Sequence, residues 1–401
     1  MALFLQHVLD GRAPINTRRA ILVEVLDEKN EDGTHRFCLL GERFQHGVND
    51  YSHLEEPERT KANNRSAAQL IQYGIEADPE FVRELLRKQT FEDETPSAVF
   101  FINTNLTTPT RTPRDLPTLL SGKKGTHDER EYSRHQGMAL QAASGVGKSF
   151  EVLDPYDRQI KKITTNVQSI DLRFPVNYAL NLVGALDLGM MIGTWDELHQ
   201  HNAGEFQKIF GGLNPNNPIG GLIGPSYQKL RALATNQTKT EEERIAATAL
   251  RREIEDQCLI VRSLFQSKAY QSAADGDRMK MPRHIDLLVN KFREATRLVG
   301  DFNMRVINAG GCMSGKDREG VAHAEAVAAV MIEKMGGAVV PGRPFSEEEN
   351  AIYNTAVSLV VDNTLLVTGY GGSKNAEEVA ARIRNHYAVM YAAGLSRKAK
   401  T

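Results

Sequence analysis

The feature of the sequence that most constrains the fold is a strand, a loop and a helix predicted in direct succession. Met304–Ala309 is an apolar run that predicts a buried strand. In Gly320–Met335 the apolar residues recur at helical spacing, and Gly336 with Gly337 predicts the end of that helix. The loop Gly310–Glu319 connects the two. With the other predicted helices and strands, this unit predicts an α/β fold whose central sheet is flanked by helices.

Two regions are predicted along the chain. Residues 1–110 mix strands and helices in a smaller α+β region, in which Ala20–Leu26 and Arg36–Leu40 are the predicted strands of a hairpin. Thr107–Pro117 contains three prolines, which predicts a boundary near residue 110. Residues 111–401 form the larger region, and Gln228–Phe265 is predicted there as one long helical stretch.

Charge and composition exclude several classes of protein. Lys and Arg total 49 against 51 for Asp and Glu, so no bulk positive charge favours binding to nucleic acid. No apolar run approaches the roughly 20 residues of a membrane span, and the first residues lack the basic segment of a cleaved signal peptide. The cysteines at 38, 258 and 312 lie far apart, which disfavours a disulfide framework and a cysteine-based zinc site.

Cys312 and Arg318 form a Cys-x5-Arg motif around the predicted loop. Such a loop can surround a phosphate dianion with backbone N–H groups and leads into a helix N-terminus, and both features attract anions. Arg318 can hold two phosphate oxygens, and the same positive field lowers the pKa of the Cys312 thiol so that a thiolate can act as nucleophile. The alternative is a buried cysteine followed by a Gly-rich turn. The residues predicted to line the phosphate site are Met313, Ser314, Gly315 and Lys316.

The sequence from Cys312 to Arg318, Cys-Met-Ser-Gly-Lys-Asp-Arg, resembles the signature of the SopB/SigD/IpgD bacterial effector phosphatases and the eukaryotic inositol polyphosphate 4-phosphatases. The resemblance is colinear over about residues 115–375. The other segments that carry it are Phe174–Asn177, Asn202, Phe206, Ile209–Gly211, Val261–Tyr270, Asp277–Pro282, His323–Glu325 and Thr368–Lys374.

This resemblance implies a cysteine-phosphatase-like catalytic domain that hydrolyses phosphate monoesters without a metal or other cofactor. Cys312 would form a cysteinyl-phosphate and Arg318 would hold the transition state. Asp317 would be the general acid and then the general base, or a carboxylate that only orients Arg318. The implied substrates are phosphoinositides, at a host membrane surface, or soluble inositol polyphosphates. The implied location is that of a secreted bacterial effector acting in the host cytoplasm or on host membranes.

Further cations are expected around a substrate with several phosphates. Lys316 would face a second phosphate, unless it is a solvated loop lysine. Thr368 and Lys374 would form a more distant wall of the site, or belong to a plain Gly-rich turn. The formal charges of residues 301–401 cancel, so this region has no overall positive charge that would attract a phosphate. A cationic approach to the loop must therefore be assembled by the fold, and Arg283 and Arg305 are further candidates for it.

Two residues depart from the family pattern. Met313 stands where the family usually has Lys, and Glu319 stands where it usually has Thr. If the Glu319 carboxylate faces the loop, it raises the pKa of the Cys312 thiol and repels the substrate. A second hypothesis follows: the chain is a phosphoinositide-binding module that has lost turnover.

A third hypothesis is a P-loop NTPase or kinase. The segment Ala142–Ser149 resembles a Walker A loop, with Gly147, Lys148 and Ser149 as its functional residues. Its first glycine is replaced by alanine, and the residues before it are predicted as helix rather than strand. Glu197–His201 contains two histidines at i and i+2, which lie on different faces of a helix and therefore do not predict a metal site.

Overall fold

A computed structural model describes residues 2–8, 17–29, 35–47, 54–91, 97–107, 129–174, 192–271, 277–311 and 317–370. The strands are β1 (Ala2–Val8), β2 (Arg18–Lys29), β3 (His35–His46), β4 (Ala98–Asn105), β5 (Gly145–Leu153), β6 (Ile160–Arg173) and β7 (Met304–Gly311). The helices are α1 (Glu58–Glu76), α2 (Pro79–Phe91), α3 (Glu129–Ala142), α4 (Ile192–Phe210), α5 (Gly224–Thr235), α6 (Glu241–Gln266), α7 (Asp277–Leu298), α8 (Asp317–Lys334) and α9 (Glu347–Tyr370).

The described strands form a seven-stranded sheet in the order β1-β2-β3-β7-β4-β6-β5. The four middle strands β3, β7, β4 and β6 run parallel to one another. The strands β1 and β2 at one side and β5 at the other are antiparallel to their neighbours. Helices cover the sheet, which confirms the predicted α/β fold with a central sheet flanked by helices.

Both faces of β7 are buried, and successive residues of the strand lie on opposite faces of the sheet. Val306 of β7 packs in the apolar cluster that contains α4 to α7, whereas Ile307 packs in the cluster that contains α1, α2 and α3. A third cluster joins α8 and α9 to Leu22 of β2. No helix in the described ranges combines the length and the apolar character that crossing a bilayer would need.

The predicted strand at Met304 and the predicted hairpin are both confirmed, as β7 and as the antiparallel pair β2 and β3. The sheet also runs across the boundary predicted near residue 110. β3 and β4, which precede that boundary, are the two direct neighbours of β7, which follows it. Residues 1–110 therefore supply strands to the same sheet as the motif-bearing region.

The long helix predicted over Gln228–Phe265 is wrong in one respect, because the structure contains two helices there, α5 and α6. Thr240 takes extended backbone angles and begins α6 with reciprocal hydrogen bonds. Its hydroxyl accepts from the Glu243 backbone N–H (3.2 Å), and the Glu243 carboxylate accepts from the Thr240 backbone N–H (3.0 Å). This capping box satisfies two N–H groups that a helix start leaves unpaired, so the polar segment ends one helix and starts the next.

Thr240→Ala should lower the free energy of unfolding by about 1 kcal/mol, because one of these N–H groups loses its acceptor. The measurement is the urea midpoint of the purified protein. Thr248→Ala in the same helix is the control, since the Thr248 hydroxyl donates only to the Arg244 carbonyl of its own helix. Equal midpoints for Thr240→Ala and wild type would contradict the capping role.

Candidate functional site

The predicted motif lies at the carboxyl edge of the parallel strands. β7 ends at Gly311 and α8 begins at Asp317, so the chain follows the predicted order of strand, loop and helix. At this edge His46, the last residue of β3, and Asn105, the last residue of β4, are both register partners of Gly311. Ligands of open parallel sheets bind at this edge, where the strand ends and helix N-termini meet.

The two glycines that end β7 are packed too closely for any side chain. A Cβ on Gly310 would lie on the Glu319 carboxylate and the Arg43 guanidinium. A Cβ on Gly311 would lie 2.6 Å from the Gln136 side-chain nitrogen and 2.7 Å from a ring carbon of His46, closer than real Cβ contacts come. Polar side chains therefore lie close to Gly310 and Gly311, the two residues before position 312.

On one side of Gly310, a buried polar network links four elements. Arg43 of β3 donates from Nη2 (2.6 Å) and Nε (2.9 Å) to Glu319 Oε1 in the first turn of α8. It also donates from Nη1 to Asp286 Oδ1 of α7, and Asn308 of β7 donates to the same oxygen (2.7 Å). The network fixes the start of α8 against β3 and β7.

This network holds two carboxylates for one guanidinium. Burial raises the pKa of Glu319 to about 7, although its hydrogen bonds with Arg43 act in the opposite direction. Burial likewise raises the pKa of Asp286. Glu319 is fully buried and its partner is Arg43, so it is neither exposed nor paired with a lysine. The guanidinium of Arg43 therefore partly offsets the repulsion that the Glu319 carboxylate would exert on a thiolate or a phosphate at the loop.

On the side of Gly311, a second buried network joins β3, β4, β6 and α3. His46 Nε2 lies 2.9 Å from Asn103 Oδ1, and Asn103 Nδ2 donates to Asp171 Oδ1 (2.7 Å) and to Gln136 Oε1 (3.3 Å). Since the Asn103 amide nitrogen is the donor in both of these bonds, its oxygen must accept from His46. His46 therefore carries its proton on Nε2.

Burial lowers the pKa of His46 to about 4, and its hydrogen bond with Asn103 only partly opposes this shift. The imidazole is neutral near pH 7 and contributes no positive charge to the loop. Together with the close approach to Gly311, this makes His46 a packing and positioning group for the end of β7.

The chain segments that follow β4 and β6 are also fixed at this edge. The Leu106 N–H donates to the Gly311 carbonyl (2.8 Å), which ties the residue after β4 to the last residue of β7. Asn202 of α4 donates to the Arg173 carbonyl and accepts from its N–H, both at 2.8 Å. The half-buried Arg173 side chain pairs with Asp171 (3.0 Å). Asn202 thus holds the end of β6 in place.

Several predicted site residues lie where the structure gives no side-chain position. Asp317 and Arg318 are the first two residues of α8. Thr368 lies near the C-terminus of the helix α9 and not in a Gly-rich turn. Their side chains are outside the described part of the molecule. The remaining predicted residues that lie outside the described ranges are Cys312, Met313, Ser314, Gly315, Lys316 and Lys374.

The expectation of a cationic approach to the loop is wrong for Arg305, whereas it stays a prediction for Arg283. Arg305 is 2% exposed and donates to Glu42 (2.6 Å) and to the Gly74 carbonyl (3.0 Å), because β7 is covered on both faces. Arg283 pairs with Glu325. Both guanidiniums are engaged in ion pairs.

The Walker-like segment does not have the order of a P-loop. It leads from the end of α3 into β5, so a helix precedes a strand, whereas a P-loop leads from a strand into a helix. Lys148 lies within β5 and its Nζ donates to the Ala142 carbonyl at the end of α3 (2.9 Å). Gly147 donates its N–H to Asn166 (3.0 Å). The segment is a structural connection.

The two histidines of α4 have separate packing roles. His199 stacks on Phe265 at 4.2 Å and its Nδ1 lies 2.6 Å from the Tyr270 hydroxyl, whereas His201 Nε2 lies 2.7 Å from the Asp171 carbonyl. Within the residues that the structure describes, no group of three His, Cys, Asp or Glu side chains could hold a metal ion.

Reasoning from the sequence missed the buried polar groups around the end of β7. The available signal was the place of Asn103 and Asp171 within predicted strands, because a polar residue that a strand buries must find a hydrogen-bond partner. Arg43 and Asp286 stand in segments with no motif, more than 240 residues apart, and only the fold brings them together.

No protein-family model and no curated protein matches this sequence. Three solved structures of Legionella phosphoinositide phosphatases have partial structural similarity to the chain. One has a TM-score of 0.46 at 11% identity, a second 0.41 at 12%, and a third, SidF, 0.37 at 11%. The matches cover 87%, 93% and 95% of this chain, but 63%, 36% and 58% of those proteins. The resemblance to the SopB/SigD/IpgD phosphatases stays a prediction.

The raised pKa of Glu319 predicts a specific pH dependence of stability. The folded state binds a proton at Glu319 up to about pH 7, whereas the unfolded chain releases it near the ordinary value of 4.5. The folded state therefore binds more protons in this window, and this contribution to stability falls as pH rises through it. Glu319→Gln removes the titration. The free energy of unfolding of wild type minus that of Glu319→Gln should fall by roughly 2–3 kcal/mol from about pH 5 to about pH 8.

The measurement is urea unfolding of both proteins at several pH values. Glu347→Gln, in the exposed first turn of α9, is the matched control and should leave the profile parallel to wild type. A constant difference between wild type and Glu319→Gln would contradict the buried titration.

Proposed function

We propose that this protein is a phosphatase that removes phosphate from phosphoinositides or soluble inositol polyphosphates through a thiolate nucleophile, Cys312. The observation that supports the proposal best is the position of the motif. Its loop leaves the buried central strand β7 at Gly311 and enters α8 at Asp317, at the carboxyl edge of four parallel strands. Backbone N–H groups at the start of α8 then add a favourable field for a phosphate dianion.

The proposed reaction has two steps. The Cys312 thiolate attacks phosphorus and forms an S–P bond, while the P–O bond to the inositol oxygen breaks and Asp317 gives that oxygen a proton. Asp317 then takes a proton from water, which attacks phosphorus and releases inorganic phosphate and the thiolate. Arg318 holds the equatorial oxygens in both transition states.

The substrate class rests on the sequence resemblance of the loop and on its lysine. Lys316 precedes Asp317 and Arg318 and adds a cation for a second ring phosphate. Of the two guanidiniums expected to help, Arg305 is buried in an ion pair with Glu42, and Arg283 pairs with Glu325. The loop residues Lys316 and Arg318 are thus the proposed contributors of positive charge.

Cys312→Ser should reduce phosphate release to background, because a serine hydroxyl stays protonated near neutral pH. The assay is release of inorganic phosphate from a panel of phosphoinositides and inositol polyphosphates. Cys258→Ala is the matched control. Cys258 is fully buried in the core, and burial raises the pKa of its thiol to about 12, so it supplies no thiolate. Full turnover by Cys312→Ser would exclude the cysteine mechanism.

The same panel of phosphoinositides and inositol polyphosphates distinguishes the binding-module hypothesis from the enzyme hypothesis. If wild type binds vesicles that contain phosphoinositides but releases no phosphate above the Cys312→Ser background, the chain binds without turnover. Met313 and Glu319 are then the first positions to revert, as Met313→Lys and Glu319→Thr.

Lys148→Ala should leave phosphate release unchanged, because the Lys148 ammonium bonds to the end of α3 in a helix-to-strand connection. Binding of ATP with Mg²⁺ is measured for both proteins by calorimetry, and no binding is expected for either. ATP binding by wild type that Lys148→Ala abolishes would favour the NTPase hypothesis instead.

A further inference from the structure

Beside the end of β7, one buried side-chain amide is held in a single orientation. Asn103 donates from Nδ2 to the Asp171 carboxylate (2.7 Å), and an ionised carboxylate only accepts, so the positions of the Asn103 nitrogen and oxygen are settled. The same nitrogen donates to Gln136 Oε1 (3.3 Å). Gln136 of α3 therefore turns its amide oxygen toward Asn103, and its amide nitrogen, Nε2, forms the other end of the group.

This amide nitrogen is buried and has an unused hydrogen-bonding capacity. Gln136 is fully buried, and its Nε2 has no hydrogen-bond partner among the residues that the structure describes. An amide nitrogen carries two N–H donors, and a buried donor that lacks an acceptor destabilises the folded state. The surroundings of Nε2 are therefore expected to supply an acceptor.

The nitrogen lies directly beside the last residue of β7. A Cβ on Gly311 would come within 2.6 Å of Gln136 Nε2. A Cβ stands roughly perpendicular to the sheet, whereas the carbonyls of a strand lie in the sheet and accept from the neighbouring strands. The Gly311 carbonyl follows this pattern, since it accepts from the Leu106 N–H (2.8 Å). The amide thus approaches the strand end from the side of α3, and the next residue of the chain is Cys312.

The titratable and charged groups near this amide have other partners. The neutral His46 imidazole donates from Nε2 to Asn103, and Asp171 pairs with Arg173 (3.0 Å). The buried guanidinium and carboxylate that join β3 to α8 lie beside Gly310, on the other face of β7. None of these described groups accepts from Gln136 Nε2. The donor is thus available to an acceptor beyond the end of β7.

We propose that Gln136 donates a hydrogen bond from Nε2 to the thiolate of Cys312. The inference rests on the proposed function, which assigns Cys312 as the nucleophile. A hydrogen bond to the sulfur stabilises the thiolate relative to the thiol, so it lowers the pKa of Cys312. Because the amide is neutral and is oriented by Asn103, it provides this stabilisation without adding a charge to the site.

The experiment measures the rate at which iodoacetamide alkylates Cys312 as a function of pH, followed by mass spectrometry at the peptide that contains Cys312. Gln136→Met keeps the length of the side chain but removes the donor, so the midpoint of the profile should rise by about one pH unit. Gln141→Met makes the same substitution at an exposed position of α3, and this matched control should keep the wild-type midpoint. An unchanged midpoint in Gln136→Met would overturn the proposal and assign the donor to a buried water or to the substrate phosphate.

The pH dependence of phosphate release distinguishes this role from a structural one. Below the midpoint, kcat/KM of Gln136→Met should be about tenfold lower than that of wild type, because a smaller fraction of Cys312 is ionised. Above the midpoint the two values should converge, since the thiolate is then formed in both proteins. An equal loss at every pH would indicate a packing defect and contradict the proposal.

A crystal structure of wild type tests the same contact without a variant. It should show Gln136 Nε2 within hydrogen-bond distance of Cys312 Sγ, and a different acceptor for Nε2 would overturn the proposal. Failure of the proposed function is distinguishable, because it appears as full phosphate release by Cys312→Ser. The alkylation profile requires no turnover and still reports whether Gln136 acts on the thiol.

Discussion

The end of β7 is the steric constraint on which the candidate site depends. A Cβ on Gly310 or Gly311 would overlap polar side chains of β3, α3 and α8 in their present positions, so a larger residue would force these side chains to move. The position and direction of the backbone are therefore fixed one residue before Cys312. A nucleophile that must approach phosphorus along one line benefits from such a fixed starting point, since misplacement of about 1 Å can lower a rate 100-fold.

The strand β3, which neighbours β7, makes ion pairs near both ends of β7. Adjacent residues of a strand point to opposite faces, and here Glu42 binds Arg305 near the start of β7 while Arg43 binds Glu319 beyond its end. Both pairs are buried, so desolvation opposes the Coulomb attraction within each pair. The attraction prevails at Glu42, whose pKa falls to about 2, but not at Glu319, whose pKa rises to about 7. Both pairs form in the observed register, in which Glu42 and Arg43 each meet a partner of opposite charge.

How far the sequence could predict this arrangement depends on the range of the interactions. β7 and α8 are predicted correctly because a buried strand and an apolar helix face are visible in local periodicity. The interruption between α5 and α6 is local as well: Asn236–Arg244 contains no apolar residue, and Thr240 with Glu243 forms the capping box that starts α6 there. The continuity of the sheet across residue 110 could not be predicted, because β7 inserts between β3 and β4 from 200 residues further along the chain.

For Arg305 and Glu319, too, the sequence could not predict the contacts of the side chain. A charged residue next to a motif suggests a role toward the ligand, yet the partner of each charge here lies on β3, far away in sequence. For Glu319 this partner changes the meaning of the departure from the family pattern. A carboxylate in the first turn of α8 would compete with substrate for the helix N–H groups if it were unpaired. Because Arg43 accompanies it, the glutamate and the arginine form one unit that anchors α8, and the N–H groups at the helix start need not bind that carboxylate. The substitution of Thr by Glu is therefore compatible with a phosphate site, provided that Arg43 is present with it.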